Sequence, residues 1–116
     1  EEWNKVCSTE LVQGVVIARK SFVNEHPEAI EQFLREYEKS SAFVNENIDE
    51  AAKLIVDAGI LGNVEIAKKA IPNCNISFSK GEAMHKAVEG MLAVLFEANT
   101  KSIGGKLPDK DFYYGI

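Results

Sequence analysis

Cysteine is scarce in this chain of 116 residues, which holds only Cys7 and Cys74. A disulfide-stapled scaffold would carry more. Neither cysteine stands in a CxxC or a His-spaced array, so a zinc site has no support. The two read as ordinary thiols, with a Cys7–Cys74 pairing left open. Basic residues are also few: 13 Lys and Arg face 18 Asp and Glu, for a net charge of −5. That balance argues against a nucleic-acid surface, which needs clustered bases to displace counterions from phosphates. No apolar run reaches the ~18 residues of a membrane span. No internal repeat and no low-complexity segment occurs. The chain opens Glu1-Glu2-Trp3 without a methionine or a secretory apolar segment. It is therefore expected to be processed, trimmed or cut from a longer product.

Hydrophobic residues make up 46% and charged residues 27%, a globular balance. The length suits one small domain. "LVQGVVIA", Leu11 to Ala18, is continuous and β-branched, without alternation. That is how a strand of a parallel sheet reads when it is covered on both faces. Gln13 is its one polar break, and Gly14 removes a side chain, which often marks a bulge or a close backbone approach.

After Arg19 the period becomes helical. Ser21–Glu25 reads as a short helical turn, and Pro27 suits the first position of the next helix. Ile30, Phe33, Leu34, Tyr37, Ser41 and Val44 then share one face, with Glu31, Arg35, Glu38, Lys39 and Glu46 opposite. The spacing predicts a helix over Pro27–Glu46. Asn47 with Glu50 reads as a reciprocal cap for a following helix that Gly59 stops. Gly62-Asn63 announces a third helix, Val64–Ala70, closed before Pro72, with Lys68 and Lys69 at its negative end. Asn75–Phe78 is a candidate second strand. Ser79 and Glu82 form a capping box for a helix whose stripe is Met84, Ala87, Val88, Met91, Leu92 and Leu95, ending near Asn99. The tail after Asn99 reads as loop with an aromatic end.

One buried strand cannot satisfy its own backbone groups, and a parallel partner needs a crossover to a strand on the far side. The expectation is an α/β, mostly helical partial domain over residues 1–116. It has one buried strand, a possible short second one, and four or five helices. The strand's partners are expected outside these residues. Uncovered edges and apolar faces pair with other chains, so the isolated chain is expected to self-associate, with exchange of the Leu11–Ala18 strand as one route.

Three stretches carry a resemblance: "LVQGVVIARKSFVNEHPEAIEQFLREYEKSSAFVNENIDEAAKL" (Leu11–Leu54), "AIPNCNI" (Ala70–Ile76) and "KSIGGKLPDKDFYY" (Lys101–Tyr114). Together they resemble the C-terminal part of periplasmic-type (type II) solute-binding proteins of ABC importers. The branch is the one that includes receptors for sulfonates, taurine, nitrate and thiamine precursors. Those proteins close two α/β lobes around a ligand at a hinge. The resemblance implies the returning segment of the first lobe, a small-molecule solute, an ABC permease as partner and an extracytoplasmic location. It implies no cofactor. It also implies that most ligand contacts lie on segments outside these residues. The same branch resembles a pyrimidine-synthesising enzyme of thiamine biosynthesis that relies on histidine and a cysteine-rich motif, and no such cluster occurs here. A free-standing helical interaction domain is a third reading.

Candidate sites are few. Gln13-Gly14 is the best: an amide able to bond a sulfonate, carboxylate or pyrimidine, with a strand bulge as the competing explanation. Trp3 reads as packing before stacking. "GGK" at Gly104–Lys106 lacks the spacing of a phosphate loop. Asp109 and Asp111 lack the remaining ligands of a calcium loop. His26 and His85 show no Ser, Cys or carboxylate at catalytic spacing. Glu31 and Glu38 read as a solvated helix face, and Met84 and Met91 as core packing before an adaptable binding face.

Overall fold

The computed structural model describes residues 2–116. It is helical: 66% of it is helix, and no strand occurs among the described residues. Among the described residues six α-helices follow in order: α1 (Glu2–Val6), α2 (Lys20–Glu25), α3 (Pro27–Glu46), α4 (Ile48–Asp57), α5 (Val64–Ala70) and α6 (Gly81–Ala98). Short 3-10 turns occupy Ile71–Asn73, Thr100–Ile103 and Lys110–Phe112.

The expected α/β class is thereby corrected. Leu11–Ala18 is not a buried strand: residues 10–19 are neither helix nor strand, and Val15, Val16 and Ile17 are 59%, 55% and 81% exposed. The cause is the one that made its neighbours hard to place. A strand exists only by pairing, and among the described residues nothing pairs with it. Three consecutive β-branched residues beside Gly14 also discourage a helix. The second candidate, Asn75–Phe78, is not a strand either. Asn75 turns into the left-handed region at φ 49°, and the Ile76 carbonyl is taken by a side chain, Asn45 Nδ2, at 2.8 Å.

The described residues divide into two compact units, 18–78 and 2–17 with 79–116. In the first unit, α3 begins at Pro27, where a missing N–H costs nothing, and runs the length its period predicts. Asn47 does not cap α4 with its side chain. Its Nδ2 instead donates to the Phe43 carbonyl at 3.2 Å, closing α3. α4 ends in a Schellman arrangement: Gly59 N–H donates to the Val56 carbonyl at 2.9 Å and Ile60 N–H to that of Ile55 at 3.0 Å. Gly59 sits at φ 73°, which a side chain rarely tolerates. Asn63 caps α5 by accepting from Ile66 N–H at 3.1 Å.

The core of this unit is Ala51, Ala52, Ala67 and Ile71, with Phe43, Val44, Ile48, Ile55 and Val64 packed partly over it. Small side chains let α4 and α5 approach closely, but they bury little apolar area. Lys68 ties the two helices, 3.1 Å from Asp49 and 3.5 Å from Glu65. On α3, Phe33 stacks on Tyr37 at 5.7 Å, and Tyr37 meets Phe78 edge-on at 5.7 Å. Both α3 rings stay more than 40% exposed.

In the second unit α6 is the scaffold. Lys80, not Ser79, holds its N-cap position, with no side-chain hydrogen bond capping the helix, so the expected capping box does not form. Thr9 lies against Gly90, where a Cβ would come 2.7 Å from Thr9 Cγ2. Trp3 Nε1 donates to the Thr9 carbonyl at 2.6 Å, which holds the segment after α1 in place. At the other end, Ser102 Oγ and Asn99 N–H both donate to the Leu95 carbonyl of α6, at 3.2 and 2.9 Å.

Among the described residues no large side chain is fully buried.

Candidate functional site

Among the described residues two polar side chains are buried, Ser41 at 6% exposed and, on the fifth position of α6, His85 at 8%. Its ring packs on Tyr113, centroids 4.3 Å apart and tilted by 58°, and Tyr113 in turn meets Phe112 edge-on at 5.3 Å. Glu82 and Glu89 stand three residues before and four after His85 on the same helix. Their carboxylates lie 3.9 Å from Nδ1 and from Nε2 respectively. That is ion-pair range but too long for a hydrogen bond, and buried Nε2 has no hydrogen-bond partner. Burial pushes the Tyr113 phenol up, and the Glu89 charge adds to the shift. The phenol therefore stays protonated, a donor beside an imidazole.

The sequence did carry part of this signal. Glu82, His85 and Glu89 follow i, i+3 and i, i+7 spacing on one helix face, which brings both carboxylates near the ring without hydrogen bonding it. Tyr113 could not be foreseen, since it arrives from a separate stretch of chain. Chemically the cluster is a shielded imidazole–phenol pair between two carboxylates, whose evident work is to seat the tail on α6. Among the described residues no group of three or more His, Cys, Asp or Glu is placed to hold a metal ion.

Gln13 and Gly14 lie on the exposed segment 10–19. A Cβ on Gly14 would meet nothing within 4 Å. His26 packs on Phe22, centroids 4.8 Å apart. Cys7 and Cys74 are free thiols. Met84 and Met91 lie half-buried along α6. Gly104 and Gly105 form a turn with φ of 81° and 87°. Shallow depressions run along α3 from Pro27 to Arg35 and around Glu46–Glu50. Each is bounded by one stretch of chain, a surface groove. No helix among the described residues is long and apolar enough to cross a membrane.

No known protein family, curated protein or solved structure matches this chain.

Proposed function

We propose that this chain is part of an extracytoplasmic solute-binding receptor, of the branch that takes sulfonates, taurine, nitrate or thiamine precursors, and that it serves an ABC importer. One observation carries the reading. The longest stretch resembling those receptors, Leu11–Leu54, leaves many large apolar side chains open: Leu11, Val15, Val16, Ile17, Phe22, Phe33, Tyr37 and Leu54 are all between 41% and 81% exposed. Large apolar side chains left open in such number suit a chain that works against something else. In a receptor that something is the remainder of the protein. Gln13, exposed beside Gly14, is then an amide within reach of a small anionic or pyrimidine ligand held mainly by other segments.

A second reading is a helical interaction domain that works unaided, favoured by the all-helical architecture. Thermal-shift measurement on the full-length gene product separates the two, using taurine, alkanesulfonates, nitrate and thiamine pyrimidine precursors, with this chain run alongside. A ligand that binds only the folded form raises the melting temperature with saturation. The receptor reading predicts a rise in the full-length product and none in this chain. No rise with any solute, with a cooperative melt of this chain alone, would overturn it in favour of the interaction domain.

A further inference from the structure

We propose that Leu11–Ala18 is a self-pairing segment through which two copies of this chain join in an antiparallel ladder. The inference does not depend on the receptor reading. It begins with the backbone. Residues 10–19 lie outside every helix, and among the described residues no backbone hydrogen bond joins Leu11–Ala18 to another part of the chain. A run of open N–H and C=O groups is a template for a second chain. The side chains fit the same use: Val15, Val16 and Ile17 are β-branched and mostly exposed, and they favour a pleated partner over water.

The charges select the occupant and its direction. Glu10 stands at one end of the segment and Arg19-Lys20 at the other. A second copy laid antiparallel brings each acidic end beside the other's basic end. A parallel copy in register would set Glu10 against Glu10 and Arg19 against Arg19. Antiparallel self-pairing is also the arrangement that closes with two-fold symmetry and stops at two. With Gly14 on the axis, Leu11 of one copy faces Ile17 of the other, Val12 faces Val16, and Gln13 faces Val15. Gly14 suits the axis because open space surrounds it and its φ is not positive. Among the described residues the single chain has no strand; the ladder exists only across copies. A ladder this short falls at the low end of interface sizes, so association is weak and concentration dependent.

Sedimentation velocity of the chain over a wide concentration range tests this, with circular dichroism to check helix content. The wild type is expected to shift from monomer to dimer with rising concentration. Val15→Pro combined with Val16→Pro removes two adjacent donors, one of which the ladder uses, and should weaken association by about tenfold or more. Gly14→Val should tighten it, since strand propensity rises and nothing crowds the site. Lys20→Glu should weaken it, and adding Glu10→Lys should restore it, since Lys20 is the diagonal same-face neighbour of Glu10 across the ladder. A wild type monomeric throughout would overturn the proposal. So would association that ignores both the proline pair and the charge reversal while helix content is unchanged, since the contact would then lie elsewhere.

Discussion

Replacing Gly90 by alanine sets two opposed effects against each other. Glycine inside a helix costs roughly 0.5–1 kcal/mol relative to alanine, so on propensity alone Gly90→Ala should stabilise α6. The new Cβ, however, would sit 2.7 Å from Thr9 Cγ2 and 3.0 Å from Thr9 Cβ. Carbon atoms settle near ~3.5–4.0 Å, so the overlap approaches 1 Å. Thr9 cannot easily give way. Its β-branched side chain is stiff at χ1, and its carbonyl is held by the Trp3 indole at 2.6 Å. Overpacking of this kind costs about 1–3 kcal/mol, which exceeds the propensity gain. Gly90→Ala should therefore destabilise its unit by about 1 kcal/mol, roughly the difference of the two. In a Thr9→Gly background the clash vanishes, and the same change should stabilise by about 0.5–1 kcal/mol. Urea unfolding followed by emission of Trp3, the single tryptophan, gives all four corners of the cycle, and the coupling isolates the contact. A stabilising Gly90→Ala in the wild-type background, with Trp3 emission unchanged, would refute the seating of Thr9 on α6.

Three further outcomes are expected. Tyr113→Ala strips the ring from His85 and should cost about 2–4 kcal/mol of stability in urea unfolding, whereas Tyr113→Phe keeps the packing and should cost much less. Asn45→Ala removes the donor shared by the Ser41 and Ile76 carbonyls, at 3.0 and 2.8 Å, and should lower stability by about 0.5–1.5 kcal/mol. Stability should fall in alkali. The Asp49 hydrogen bond and charge, with Glu65 adding, raise Lys68 above its ordinary 10.5, and burial raises Tyr113 above 10.0. In both cases the folded state holds its proton more tightly than the unfolded one, so both contributions are intact below about pH 10 and shrink above it. A melting temperature that rises between pH 10 and 12 would contradict that sign.

Much of the helical organisation was legible because it is local. The period from Ile30 to Val44 and the proline at position 27 set α3, and Gly59 stops α4 by the positive φ it adopts. The caps were less legible. Asn47 stands where one helix ends and the next begins, and its amide donates backward to Phe43 instead of its oxygen accepting forward. Composition does not separate those two uses of the same side chain. The strand was misread for a different reason. "LVQGVVIA" has strand composition, but a strand is a property of a pair, and the second member is absent among the described residues. At the His85 cluster the helix spacing of Glu82 and Glu89 was available in the sequence. The Tyr113 contact was not, because only the folded path of the tail brings that ring to α6.

Hydrogen exchange at the amides of residues 11–18, in the chain kept dilute enough to be monomeric, tests the account most directly. An open segment that awaits a partner should exchange near the rate of unstructured chain while the interior amides of α3 stay protected. Protection of residues 11–18 at the level of α3 in the dilute monomer would contradict it, because the segment would then be paired or helical within its own chain.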